Sequence, residues 1–392
     1  MKKFIYIVFF ILVAIGLYQN IDRLESIQDR TINVWVSSEE YEVLKELNPI
    51  FEQEYDVKIE MRIMSSEQVV SNLPLYLGKP DYPEIVTLSH TLISELVEMN
   101  ELSPISDVFE KLNILPTVKS GFKYKGEYYG VPYNAHTDIL FYNKAKFPNG
   151  ISSFNQLEQY DNISLAIEYQ DIYHITPFVT GFGGYTVGIN NFGDTNFYDI
   201  GLNKGESVIG LATMLQLLNK DNLYSNEGDV YKSFINYKSD LMIAPSTFVT
   251  SLNGIYSDLG YQAIPNFIED VLPYTYMRID TYQLTKYCEN KQLAIEYLRF
   301  LLTDEVAAAR YEQNRSIAPV DYEVPISQDE YYSVVKKQLH RAYPLPNQVE
   351  FNYLYLPYQN AAKKLVTIPD QIQSVLDATV REINEQIENV LK

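Results

Sequence analysis

The chain has 392 residues, of which 46% are hydrophobic, and its 51 acidic residues against 31 basic ones give a formal net charge of −20. That length exceeds one ordinary core, so two compact units are expected, and the negative balance would repel a phosphate backbone, which argues against nucleic-acid binding. Cys288 is the single cysteine, which excludes an intramolecular disulfide and a thiolate metal cage and reads as a small packing residue.

The chain begins MKKFIYIVFFILVAIGLYQN. Two lysines followed by an apolar run from Phe4 to Tyr18 have the layout of an export signal. The run is short for a bilayer span, and both a cleaved signal peptide and an uncleaved anchor stay open. No cysteine follows it, so attachment through a lipobox thiol is ruled out. Residues 1–30 are therefore read as signal peptide or membrane anchor plus linker, with the folded part starting near Thr31 outside the cytoplasm.

From Thr31 onward strand-like and helix-like patterns alternate, which predicts an α/β fold with mainly parallel sheets. Residues 31–36 (TINVWV) read as the first strand, with Trp35 in the core. Ser37 and Glu40 read as a capping-box pair opening a helix with Leu44, Leu47 and Phe51 on one face. Residues 57–63 and 84–88 read as strands. Residues 125–143, KGEYYGVPYNAHTDILFYN, give a Gly-punctuated turn and two apolar runs with a polar break of Asn134, His136 and Asp138 between them, as expected of a chain crossing between two lobes. Further strands are predicted at 164–169, 240–245 and 261–265, a helix near 212–218, and a loop at Gly181–Gly184. Two amphipathic helices close the chain, one carrying Leu293, Ala294, Tyr297, Leu298 and Leu301, the other Ile372, Leu376, Val380, Ile383 and Ile387 after Pro369.

Enzyme signatures are sparse. There is no dinucleotide fingerprint, P-loop or nucleophile elbow, and His90, His136, His174 and His340 form no H-x-x-x-H pair, so neither a metal nor a cofactor is expected. Tyrosine is abundant, with 34 residues against one tryptophan. Its ring offers a face for stacking on a sugar and a hydroxyl for bonding elsewhere.

The segment from Lys125 to Lys144 is similar to the first interlobe crossing of extracellular solute-binding proteins of the maltose-binding type, in which a Y-G-x-P turn precedes a polar segment and a strand ending in Y-N-K. PEIVTLSH (83–90), ISLAIEYQDIYHITPFVTGFGGY (163–185), YKSDLMIAPSTF (237–248) and NKQLAIEYLRFLLTDEVAA (290–308) resemble further segments of that family in the same order. The resemblance implies the type II periplasmic-binding-protein fold, with two α/β lobes and a ligand cleft at the hinge. It places crossings near 134–139, 276–282 and 318–325, an N-terminal lobe of 31–134 with 282–318, and a C-terminal lobe of 139–276 with 325–392.

Carried over by position, the family's ligand contacts fall on Glu39, on Leu88 to His90, on His136 and Asp138, on Asp171 and Tyr173, on Ser246 to Phe248 including Thr247, and near Tyr353 and Tyr355. For Glu39 a first-turn helix charge is an equal alternative, and for His90 a core histidine is. Arg278 and Asp280 replace a Gly-Gly common at the return crossing; they could bind each other, or Arg278 could meet an anionic substituent. Tryptophan platforms common in the family are missing. The resemblance implies a monomeric, non-enzymatic receptor that captures an extracellular carbohydrate, an oligosaccharide or sugar derivative, and delivers it to an ABC permease encoded separately. The alternatives are a receptor for a cationic solute such as a polyamine, and an enzyme like thiaminase I, whose cysteine nucleophile sits where this chain has His136.

Overall fold

The computed structural model describes residues 31–190, 194–218, 223–224, 226–321 and 329–390. The leader at 1–30 and the later part of the expected third crossing lie outside the described residues. Strand β1 (Thr31–Val36) has the predicted limits and runs into helix α1 (Ser38–Tyr55). Asp56, in the left-handed conformation at φ 53°, stops the helix and turns the chain into β2 (Lys58–Ile63), which pairs parallel with β1 along its whole length. Helix α2 (Ser66–Tyr76) opens on a complete capping box of Ser65 and Gln68 and leads to β3 (Ile85–Ser89), parallel to β1 on its other side.

At Lys125 and Gly126 consecutive positive φ values, 50° and 86°, form the tight hairpin turn that a glycine permits. Beyond it lies β4 (Val131–Asn143), followed by β5 (Leu165–Ala166), α3 (Ile172–Thr180), α4 (Gly205–Leu217), α5 (Glu227–Ile235), β6 (Leu241–Pro245), β7 (Leu259–Gln262) and β8 (Thr275–Leu284). The chain continues through α6 (Lys291–Leu301), α7 (Asp304–Asn314), α8 (Glu330–Leu339), β9 (Ala342–Pro344), α9 (Asn352–Leu365) and α10 (Ile372–Val390).

The strands follow the order β2-β1-β3-β8-β4-β6-β5, with β7 added to β4 and β9 to β8. The first half of β4 pairs antiparallel with β8, from Val131 opposite Tyr282 to Thr137 opposite Met277. Its second half pairs with β6 and β7, starting at Asp138 opposite Pro245. The crossing is thus one strand of 13 residues, and the expected polar break is no break. Asn134, His136 and Asp138 share one strand face, with Ala135 and Thr137 on the other. A third passage runs alongside, because Ala135 N–H donates to the Ile317 carbonyl and Ile317 N–H to Asn134 Oδ1, at 2.9 and 3.0 Å.

Among the described residues three apolar clusters form the interior. One joins β1 to α1 and α6 through Leu44, Phe51, Tyr297 and Leu298. Another gathers α3, α9 and α10 in the C-terminal half and takes in Leu376, Val380, Ile383 and Ile387, so the terminal stripe is core. The third extends from Trp35 and Leu88 to Phe141 and Met242 and passes through Ala135, Ile139, Met277 and Ile279 on the crossing strands.

Only half of the expected capping box at Ser37 forms. Ser37 Oγ accepts from Glu40 N–H, but the Glu40 side chain turns inward to Arg310, both residues 1% exposed and 2.8 Å apart from Oε1 to Nε. Arg310 also donates to the Tyr282 hydroxyl and the Leu301 carbonyl at 2.6 and 2.8 Å. Tyr282 donates to Glu40, and the guanidinium lies over the Tyr133 and Tyr282 rings. Burying this charge demanded a partner more strongly than the helix end demanded its cap.

His90, proposed from resemblance as a ligand contact, is a core histidine. It is fully buried, accepts Ile279 N–H at Nδ1 and meets the Leu345 carbonyl at Nε2, so no ring nitrogen is left to face a cleft. Burial depresses its pKa to about 4. The unfolded chain takes up this proton near pH 6.5, so stability is complete above that pH and falls as pH drops towards 4, by about 3 kcal/mol at most. Urea unfolding from pH 7 to 4 should therefore show a shallower loss in His90→Gln than in the parent chain; equal slopes would refute the assignment.

Candidate ligand-binding site

The two crossing strands lie side by side with His136 opposite Arg278 and Asn134 opposite Asp280. The charge pair considered for Arg278 and Asp280 does not form. Asp280 accepts instead from Asn134 Nδ2 at 2.8 Å, and Arg278 turns away to lie over the Tyr173 ring, 4.7 Å from its centroid. Among the described residues no carboxylate oxygen is within 4.0 Å of this guanidinium. Although burial opposes it, Tyr173, Tyr355, Asp171 and Glu227 keep Arg278 firmly protonated. A half-buried planar cation laid flat on one aromatic ring with the Tyr355 hydroxyl beside it suits bidentate bonding to hydroxyl or carboxylate oxygens.

Tyr173 is held by the start of α3. Asp171 is the N-cap and accepts Tyr173 N–H at 2.8 Å, a geometry encoded locally by an Asp two residues before the ring. The ring neighbours Tyr276, which meets Phe351 edge-on, and Phe351 meets Tyr355 in the same way. These rings make an aromatic wall beside the His136–Arg278 pair. Tyr276 also lines an adjoining cavity of about 770 Å³ with Thr176, Thr180, Tyr185, Tyr274 and Tyr343, a size that accommodates several sugar rings.

His136 Nδ1 is buried without a partner, and burial lowers the pKa of this ring although Asp280 and Asp138 pull it upward. Two residues further along the same strand, the fully buried Asp138 accepts from His174 Nδ1 at 2.7 Å. Nε2 of His174 faces Glu227 and Glu168 at 3.6 and 3.9 Å. Burial opposes protonation of His174, but Asp138 and Glu227 outweigh it and raise the pKa to about 10.

Of the residues singled out from sequence, His136, Asp138, Asp171, Tyr173, Arg278, Asp280 and Tyr355 come together here. Glu39 is exposed on the first turn of α1. Thr247 is exposed just after β6, Phe248 packs edge-on against Tyr231, and Tyr353 rests on the C-terminal core. His174, Glu168, Glu227 and Tyr276 were missed. His174 directly follows the Tyr173 singled out, but nothing in its own segment announces partners on three other elements. Cys288 packs against the N-terminal core and burial pushes its thiol up to about 12, which leaves it inert as a nucleophile.

Two α/β halves joined by crossing strands, with polar and aromatic side chains gathered at the joint, define a hinged two-lobe receptor for a small solute. The family model of bacterial extracellular solute-binding proteins matches residues 35–308, and the chain belongs to that family. A galactooligosaccharide-binding protein of Bacillus subtilis is 23% identical, over 96% of this chain and 94% of its own length. A maltotriose-binding protein of Pyrococcus abyssi is 21% identical, over 92% and 80%. Among solved structures, an extracellular solute-binding protein from Staphylococcus aureus in complex with maltose superposes with a TM-score of 0.82 at 17% identity, covering 92% of this chain and 98% of its own. A cyclo/maltodextrin-binding protein with maltotetraose gives 0.81 at 19%, covering 91% and 97%. These likenesses establish the two-lobe type II fold.

Proposed function

We propose that the chain is the extracellular substrate-binding subunit of an ABC importer and captures a carbohydrate, an oligosaccharide or sugar derivative, between its lobes. The observation that carries this reading is the His136–Arg278 pair on the crossing strands, flanked by Tyr173, Tyr276 and Tyr355. Flat rings stack on C–H faces of sugars, and the polar groups at the joint bond their hydroxyls. The relatives named for galactooligosaccharide and maltotriose support the ligand class over a polyamine, and the solute-binding family supports a receptor over a thiaminase-like enzyme.

In this reading the lobes comprise 31–134 with 282–318 and 139–276 with 325–392. They close by bending at the crossings, because only the closed form lets a ligand touch both. The family description supports a location outside the cytoplasm, where as a monomer the protein would hand its ligand to a membrane permease. Among the described residues no helix is long and apolar enough to cross a membrane.

Calorimetry of the full chain against gluco- and galacto-oligosaccharides, with spermidine as the charged comparison, tests the proposal. One oligosaccharide should bind with an affinity that changes little with salt. Spermidine binding that weakens steeply with salt, with every saccharide silent, would reject it.

A further inference from the structure

The His174 cluster has a composition that sugar binding does not require. Three elements converge on one imidazole: Asp138 from β4, Glu168 from the turn after β5, and Glu227 from the first turn of α5. The Glu168, His174 and Glu227 ligand atoms all lie within 4.8 Å of one another. Helix ends explain part of the gathering, since α5 offers its N-terminus to Glu227 and the Glu227 N–H to Glu168. They leave His174 Nε2 between two carboxylates at 3.6 and 3.9 Å, separations of an ion pair rather than of a close hydrogen bond.

We infer that Glu168, His174 and Glu227 form a binding site for a divalent first-row transition-metal ion, with Asp138 as the outer partner that orients the imidazole. The separations of 3.6 and 3.9 Å from Nε2 to the two carboxylates exceed by only a few tenths of an ångström the roughly 3.3 Å edge of a tetrahedron with bonds of about 2.0–2.1 Å. Small side-chain rotations would close that difference. Nδ1 donates to a carboxylate at 2.7 Å, so the proton that a metal would displace is the one on Nε2, the usual arrangement behind a metal-bound histidine.

The buried Asp138 adds the second observation. It is 0% exposed, and its Oδ1 has no partner although Oδ2 is bonded to His174. Three carboxylates around one histidine leave negative charge uncompensated even when that histidine carries a proton. Arg278 is the nearby cation, and it lies on Tyr173 rather than on any of them. A dication that takes the place of the Nε2 proton reduces that excess without cancelling it, since it adds two positive charges and displaces one. The nitrogen ligand disfavours calcium and magnesium, which take oxygen, and favours zinc and its neighbours. Three protein ligands leave a fourth position for water or for a ligand hydroxyl.

The experiment uses the full chain, stripped with a chelator and then titrated with zinc chloride by calorimetry, with calcium chloride in parallel and cobalt as a visible-absorption probe. One zinc per chain should bind at micromolar or lower concentration, calcium should not compete, and cobalt should give the absorption of a nitrogen–oxygen site of low coordination number. Glu168→Gln and Glu227→Gln should each weaken zinc binding by 10-fold or more while retaining the parent's far-UV spectrum and unfolding midpoint without metal. His174→Ala should abolish binding; because it empties a buried position and could impair folding, the exposed-side Glu227→Gln is the deciding variant. Failure to bind zinc at 100 µM overturns the inference and leaves His174 as an imidazolium held by carboxylates. Uptake unchanged in the Glu168→Gln, Glu227→Gln double variant overturns it too, by locating the metal elsewhere.

Discussion

Arg310→Ala is expected to lose about 3–5 kcal/mol of unfolding free energy, the largest effect predicted for a single side chain in this protein. The substitution removes the one cation that meets Glu40 at 2.8 Å and leaves that carboxylate 1% exposed with one oxygen already lacking a partner. It also strips the Leu301 carbonyl of its donor and the Tyr133 and Tyr282 rings of the plane lying over them. Guanidinium unfolding followed by tryptophan fluorescence would report it, since Trp35, the sole tryptophan, lies in the adjacent strand β1. Glu40→Gln with Arg310→Met should recover most of the loss, because what is costly is one buried charge without the other. A loss below about 1 kcal/mol, the scale of exposed pairs, would mean that water reaches the network.

Arg278→Ala is expected to weaken oligosaccharide binding roughly 30-fold, corresponding to about 2 kcal/mol, with little change in stability because this arginine holds no ion pair among the described residues. Its worth lies in position. It stands opposite His136 on the strands that join the halves and lies on Tyr173 from the C-terminal half, so a ligand held at the joint would meet it where contacts to both halves converge. Arg278→Lys should restore little, since an ammonium offers no plane to stack and no paired donors. Affinity measured by calorimetry, beside the unfolding midpoint of each variant, separates binding from folding. An unaltered affinity in Arg278→Ala would remove this residue from the ligand's surroundings.

Much of the fold is legible in the sequence where a pattern is local. The alternation of 31–36 and the stripe of Leu376, Val380, Ile383 and Ile387 predict a strand and a docked helix because each buries one face, and the structure agrees. Residues 164–169 read as a strand of six but pair only at Leu165–Ala166, because from Ile167 the backbone turns to present Asp171 as the cap of α3. The polar residues of 134–138 read as an interruption. They continue the strand because Asn134 finds Asp280 and Asp138 finds His174, partners remote in sequence.

The same limit governs the site. The crossing was legible because His136, Asp138, Tyr173 and Arg278 sit in segments with recognisable surroundings. The carboxylates around His174 were not, since they belong to separate elements that only the folded chain superimposes. Glu40 reads as a helix cap because its spacing from Ser37 is the one a cap requires, and a competing arginine 270 positions downstream leaves no trace nearby.

Glu40's dependence on Arg310 also bears on timing. At synthesis rates of about 5–20 residues per second, the carboxylate waits some tens of seconds before its counter-charge leaves the ribosome. β3 likewise waits for β8, the neighbour it meets through Ser89 and Asp280. A nascent chain missing its last quarter therefore carries β8 but not Arg310, and holds the Glu40 carboxylate beside Tyr282 without its counter-charge.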